Sequence, residues 1–157
     1  RTSGERAENL DIYQLNTTYF SALGEDEDAY VLARAVQLFL PGIPQVYYMG
    51  LVAGENDVHT FMHTGVGRDV NRRNYTLDEW EQGLKQNVTR RILALMHLRN
   101  THPAFHGKFT CKDTPNDSVV LHWQQGDMWA EAQVQLGKNE VRVRYVDGRG
   151  GVRDAGC

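Results

Sequence analysis

LFLPGIPQVYYMGLVAGEND, residues 38–57, changes character twice along its length. It opens as the end of a helix, and Pro41 and Gly42 stop that helix. Residues 43–49 then form a short apolar and aromatic run with β-branched members, of strand length. The run ends at Gly50 and opens into a polar, Gly-containing loop with Ala53, Gly54, Glu55, Asn56 and Asp57. A helix feeding such a strand is the repeating step of an α/β sheet or barrel, where ligand sites sit at the C-terminal ends of the strands.

The same pattern extends to either side. Residues 1–8 read as a polar loop or a cut end, and residues 9–23 as loop with short helical pieces. Residues 25–40 predict a helix. Glu25, Asp26, Glu27 and Asp28 place negative charge where the helix dipole favours it, and Leu32, Ala35, Val36 and Phe39 form one apolar stripe. Residues 50–74 read as a long polar loop holding His59, His63, Arg68, Asp69, Arg72 and Arg73, and loops of such length in compact domains usually carry function. His59 and His63 stand four apart, but no Glu follows His59 as a zinc-protease helix would require. They read as ordinary polar residues. Thr76 and Glu79 form a capping box that starts a short helix with Leu77, Trp80 and Leu84. Residues 88–100 predict a longer helix with Val88, Ile92, Leu95, Met96 and Arg99 on one face, ended by Pro103.

Beyond residues 104–105 the pattern becomes alternating. Residues 108–112, 118–124, 128–136 and 140–145 predict antiparallel strands separated by hairpin turns. Val141, Val143 and Tyr145 alternate with Arg142 and Arg144, the mark of a sheet with one wet face. Residues 147–157 are Gly-rich and read as frayed or truncated.

Composition narrows the function classes. The chain has 157 residues, 41% hydrophobic and 24% charged, with a formal charge of −3. That is a soluble globular composition without a basic footprint for nucleic acid, and no apolar run reaches membrane-span length. Cys111 and Cys157 make no disulfide framework, so a reducing cytoplasm is the expected compartment. Asn-x-Ser/Thr triplets at Asn16, Asn87 and Asn116 read as chance occurrences. The chain opens on Arg1 rather than Met, and it is expected to be a piece of a longer protein. A single strand and its flanking helices close no sheet, and a parallel barrel needs eight strands. Residues up to about 104 therefore read as the last unit or two of such a barrel.

Four stretches carry a resemblance. LDIYQLNTTYFSALG (residues 10–24), AGEND (53–57), GRDVNRR (67–73) and YTLDE (75–79), together with PGIPQVYYMG (41–50), resemble the sucrose phosphorylase group of the α-amylase superfamily, in the same order. The resemblance implies α/β plus all-β architecture: the C-terminal part of a (β/α)8 barrel followed by a small antiparallel β domain. It divides the chain into an acceptor-site loop region (1–24), the last barrel units (25–104) and a truncated β domain (105–157).

The implied activity is retaining phosphorolysis. An Asp nucleophile takes the glucosyl group from an α-glucoside, and inorganic phosphate then takes it from the enzyme to give α-glucose 1-phosphate. A Glu serves as acid and then base, and a second Asp stabilises the transition state. These three carboxylates are expected upstream of Arg1, so no residue of this chain is assigned to catalysis. Neither Asp57 nor Asp69 is given a catalytic role.

By the resemblance, Asp11 and Gln14 bind hydroxyls of the leaving sugar or acceptor, Tyr13 donates its phenol to phosphate, and Arg68 clamps the far hydroxyl of the glucosyl unit. The physics is coherent. One site must hold a neutral polyol and then an anion, so moving Asp11 out and Tyr13 in removes a repulsion and adds a donor. Taken alone, Asp11 reads as a helix cap, Tyr13 as a packing aromatic, and Arg68 with Asp69 as a loop ion pair worth little. After Arg72 this chain carries Arg73 and Asn74 where the group often has His and Tyr. Arg72 and Arg73 are candidate partners for a charged acceptor if they face the cleft.

The expected ligands are sucrose or a related α-glucoside and inorganic phosphate, with no cofactor, metal, nucleic acid or membrane; a homodimer is left open. Related acceptors (sucrose 6′-phosphate, glucosylglycerol, glucosylglycerate) and an α-glucosidase-type hydrolase are the alternatives. A different class, a carbohydrate-binding module, would use Trp123 and Trp129 as stacking platforms.

Overall fold

The structure, a computed structural model, describes residues 15–114 and 117–156. Asp11, Tyr13 and Gln14 lie outside the described residues. Two compact units divide the chain. One takes the described residues up to Tyr30 together with Val46–Thr89, and the other takes Val31–Gln45 together with the described residues from Arg90 onward. Helices α2 (Glu27–Phe39) and α6 (Asn87–Thr101) each contribute to both.

The first unit is helical. It holds α1 (Tyr19–Ala22), α3 (Tyr48–Leu51), α4 (Val58–Thr64), a 3₁₀ turn (Gly67–Asn71) and α5 (Leu77–Lys85). Its core is built on Phe20, Tyr30, Met49, Phe61 and Val70, all buried. The Tyr30 ring meets Phe20 edge-on at 5.2 Å, and its hydroxyl donates to the Gly50 carbonyl at 2.6 Å. Buried aromatics of this kind add packing area while still satisfying their polar atom.

Two expectations change here. Residues 43–49 do not form a strand: residues 43–47 carry no regular structure, and Tyr48 opens α3. A strand exists only with a hydrogen-bonded neighbour, and none of the described strands pairs with this segment. Ile43 is 93% exposed, its apolar surface uncovered. Residues 50–74 are not an open loop either, since α3, α4 and the 3₁₀ turn occupy most of them.

The other helices form where their signals lie. In α2, Asp26 Oδ1 accepts the backbone N–H groups of Asp28 at 2.9 Å and Ala29 at 3.0 Å, so one acid of the predicted cluster caps the helix. The capping box of α5 is complete. Thr76 accepts from the Glu79 N–H, and Glu79 accepts from the Thr76 N–H at 2.8 Å. Leu77, one of the apolar residues of this short helix, is exposed.

The second unit contains a five-stranded antiparallel meander: β1 (Lys108–Asp113), β2 (Ser118–Gln125), β3 (Met128–Gln135), β4 (Glu140–Val146) and β5 (Val152–Asp154), paired in chain order. The inward row Leu121–Ala132–Val143 is buried. The opposite row, His122–Glu131–Arg144–Asp154, is polar, as the period of two demands. Strand β5 replaces the expected frayed end. Asp147 organises its turn, accepting at Oδ1 from the N–H groups of Arg149 and Gly151, both at 2.9 Å. The glycines expected to fray supply the tight return instead.

Trp123 is buried and its indole N–H donates to the Phe39 carbonyl at 2.6 Å. Arg99 lies over the Phe105 and Trp123 rings at 4.6 and 4.9 Å and donates to the Gly42 carbonyl at 3.0 Å. Burial pulls its guanidinium below the usual value. Trp123 is thus a core residue rather than a sugar platform. Gly107 runs so close to β2 that an added Cβ would overlap the Gln124 carbonyl, so only Gly fits there.

Candidate functional site

Three of the quoted stretches meet in the first unit, and Asn56 joins them. Its Oδ1 accepts the Thr18 backbone N–H at 2.6 Å, and its Nδ2 donates to the Thr17 hydroxyl at 3.1 Å. Its own backbone N–H donates to Ser21 Oγ at 2.9 Å. The next residue extends the link: the Asp57 N–H donates to the Val70 carbonyl at 2.8 Å. Asn71 Nδ2 reaches the Thr17 carbonyl at 3.4 Å. The chain just after residues 10–14 is therefore held against the 3₁₀ turn that carries Arg68.

Arg68 is exposed on that turn and makes no hydrogen bond or ion pair with any described residue. Its neighbour Asp69 accepts from the Thr64 hydroxyl at 2.6 Å rather than pairing with it. The expected alternative of an Arg68–Asp69 ion pair is thus not realised. Its planar fork of donors is left unengaged by the described residues.

Asp57 and Asp69 both have structural work. Asp57 caps α4, accepting from the Thr60 N–H at 2.9 Å and the Thr60 hydroxyl at 2.7 Å. Burial pushes its carboxyl upward, but the Thr60 hydrogen bonds, with Arg73 and His59 nearby, outweigh it and hold the pKa below the usual value. Both carboxylates are engaged by threonines of their own segment.

Arg73 is also engaged. It pairs with Glu79, and its guanidinium lies 5.3 Å from the centroid of the Tyr75 ring. Glu79 is held below its ordinary pKa first by the Thr76 hydrogen bonds and then by Arg73. Tyr48 donates its hydroxyl to the Arg73 carbonyl at 2.8 Å, and burial followed by Tyr47 pushes its pKa up to about 12, so it remains a donor at neutral pH. Gly54 lies against the Tyr75 hydroxyl so closely that a Cβ would collide with it.

A cavity of about 460 Å³ opens beside these residues, lined by Glu55, Arg73, Tyr75, Asp78, Glu79 and Gln82 among others. His59 and His63 lie exposed on α4, and no cluster of metal-ligating side chains occurs among the described residues. No described helix is long and apolar enough to cross a membrane.

Sequence reading singled out Arg68 and did not single out Asn56, Asn71, Thr17 and Thr18 as a unit. The available signal was weak: two Asn residues inside quoted motifs and a Thr pair whose partners lie far away in the chain.

No family model matches the chain. It is similar to phosphorylases, however. The glucosylglycerol phosphorylase of Marinobacter adhaerens is 46% identical over 136 residues, covering 87% of this chain and 28% of that protein. The sucrose phosphorylase of Agrobacterium vitis is 43% identical over 141 residues, covering 90% and 29%. The solved structure of sucrose 6F-phosphate phosphorylase from Thermoanaerobacter thermosaccharolyticum superposes with a TM-score of 0.87 at 42% identity, over 90% of this chain and 29% of that one. The chain belongs to the sucrose phosphorylase group, and its fold matches the C-terminal region of such an enzyme. It spans under a third of the length of these relatives.

Proposed function

We propose that residues 1–157 supply the acceptor-side and glucosyl-side binding parts of a retaining glycoside phosphorylase. Its substrate is sucrose or a related α-glucoside, and its product with phosphate is α-glucose 1-phosphate. The observation that carries this reading is the joining of the first, second and third motif stretches around Asn56, with Arg68 on the joined 3₁₀ turn unengaged by the described residues.

The division of labour follows the chain: an acceptor region over 1–24, barrel elements over 25–104 and the β domain over 105–157. Arg68 grips the glucosyl unit, and orientation of that unit before attack is worth more than affinity alone. Asp11 and Gln14 hold the leaving sugar, and Tyr13 donates to phosphate. In the first half-reaction a carboxylate displaces the leaving oxygen, which takes a proton from the acid. In the second, a phosphate oxygen displaces that carboxylate, and two inversions leave the α configuration. The carboxylates come from the rest of a polypeptide of the relatives' length.

The pairing of Arg73 with Glu79 leaves Arg72 as the candidate partner for a charged acceptor. The separated cysteines, with Cys111 an exposed free thiol, suit a reducing cytoplasm. A homodimer is the assembly to look for, and light scattering of the full-length protein decides it.

The test is phosphorolysis by the full-length polypeptide carrying these residues. Sucrose and phosphate should yield glucose 1-phosphate, with little turnover when phosphate is withheld. Turnover that ignores phosphate assigns the chain to a hydrolase instead. Parallel assays with glucosylglycerol and sucrose 6F-phosphate name the acceptor.

A further inference from the structure

Trp129 is the tryptophan of the β meander that the core does not absorb. Trp123 is buried, whereas Trp129 is half-buried on the opposite, polar face, and its indole N–H has no hydrogen-bond partner among the described residues. The register sets its neighbours. Lys108, Gln124 and Trp129 form one cross-strand row, and Thr110, His122 and Glu131 form the next on the same face. A cavity of about 210 Å³ opens there, lined by Lys108, Thr110, His122, Gln124 and Gly126. The His122 ring stacks on Trp129, with centroids 6.1 Å and planes 20° apart, so the indole continues the cavity wall.

The acids near this cavity are already matched. Glu131 pairs with Lys112 and Arg144, and Asp154 pairs with Arg142. Lys108, exposed at the rim, forms no ion pair among the described residues. His122 Nδ1 lies 3.2 Å from Glu131 Oε2. An ionised carboxylate only accepts, so that nitrogen carries the proton and Nε2 is left for another partner. Nε2 can accept from a phosphoryl hydroxyl, or donate once the ring is protonated. The geometry points to a binding site for a monosaccharide phosphate on this face, with the phosphoryl group on Lys108, Thr110 and His122 and the sugar ring on Trp129. Two strand spacings, about 10 Å, separate Lys108 from Trp129, a span that a hexose and its phosphoryl group fill. The cavity is smaller than the roughly 300–1,000 Å³ of drug-sized sites, which suits one ring rather than an oligosaccharide. None of these residues takes part in the phosphorolysis proposed above.

The experiment is fluorine NMR of the full-length polypeptide labelled with 5-fluorotryptophan, titrated with glucose 6-phosphate. Trp129→Phe identifies the Trp129 resonance. The shift caused by Gln124→Glu, an exposed neighbour across the strand, identifies it if the Trp129→Phe protein does not fold. Glucose 6-phosphate should move this resonance saturably, and Lys108→Met should raise the half-saturating concentration about tenfold. Gln124→Glu, which sets a carboxylate beside the phosphoryl group, should weaken binding further. An unmoved Trp129 resonance, or a Lys108→Met protein that titrates like the parent, overturns the inference. Glucose acting at the same concentration overturns the anionic half of the site, and inorganic phosphate acting so overturns the sugar half. The signal needs no turnover, so its failure and the failure of the phosphorylase reading are told apart.

Discussion

Arg68 and Trp123 are opposite uses of a large side chain. Arg68 is exposed and unengaged among the described residues, so it adds little to stability, and on the proposed reading its contribution lies in binding. Replacing it with Lys keeps the charge but loses the fork. In the full-length protein, Arg68→Lys is expected to lower kcat/KM about 10- to 100-fold, with the melting temperature unmoved. Steady-state kinetics beside a thermal melt check both halves. Trp123 is buried, donates to Phe39 and lies under Arg99. Trp123→Phe leaves the Phe39 carbonyl unpaired and should cost about 1–3 kcal/mol in a urea titration. Arg68 was legible only through a motif, because an exposed arginine in a polar stretch has no chemical signature of its own. The role of Asn56 was barely legible, since its partners are 38 and 39 positions away.

At the scale of elements, the sheet is stitched on its polar face by Glu131. Its carboxylate accepts from Lys112 on β1, His122 on β2, Gln133 on β3 and Arg144 on β4, each at 3.2 Å. Burial pushes its pKa up, but these partners outweigh it and hold the group below its ordinary value. The sign follows: the folded state binds the proton less readily than the unfolded one. The stabilisation is complete above the unfolded carboxylate range and is lost as pH falls through the folded value. Glu131→Gln should cost about 1–2 kcal/mol at pH 7, discounted because Lys112 and Arg144 are partly exposed. The gap should close below about pH 4. Urea titrations of parent and variant across pH measure it. Four of the strands were legible because a meander pairs neighbours in sequence, so local alternation and turn residues suffice. Strand β5 was missed because its turn depends on the Asp147 side chain gathering three later residues.

For the molecule as a whole, residues 43–47 are the most informative. Ile43 is almost fully exposed, so Ile43→Ser should change the stability of residues 1–157 by no more than about 0.5 kcal/mol. In a polypeptide of the relatives' length, where the segment would pair as a barrel strand, the same change should cost about 1.5–3 kcal/mol. Denaturant curves of both proteins compare directly. Residues 1–157 alone are expected to form no glucose 1-phosphate from sucrose and phosphate, and a coupled assay detecting it would contradict the division of labour proposed here.

The amino-acid order alone set helices α2, α5 and α6, the capping box, the four strands with their turns, and the family motifs. All of these depend on periodicity and short-range hydrogen bonds, which act within a few residues. Tertiary structure decided which motif residues meet. It bonded Asp57 and Asp69 to threonines, paired Arg73 with Glu79, buried Trp123 and left Arg68 unengaged by the described residues. It also decided that residues 43–47 are not a strand here. A strand is a property of a pair of chains, and periodicity reports only one of them.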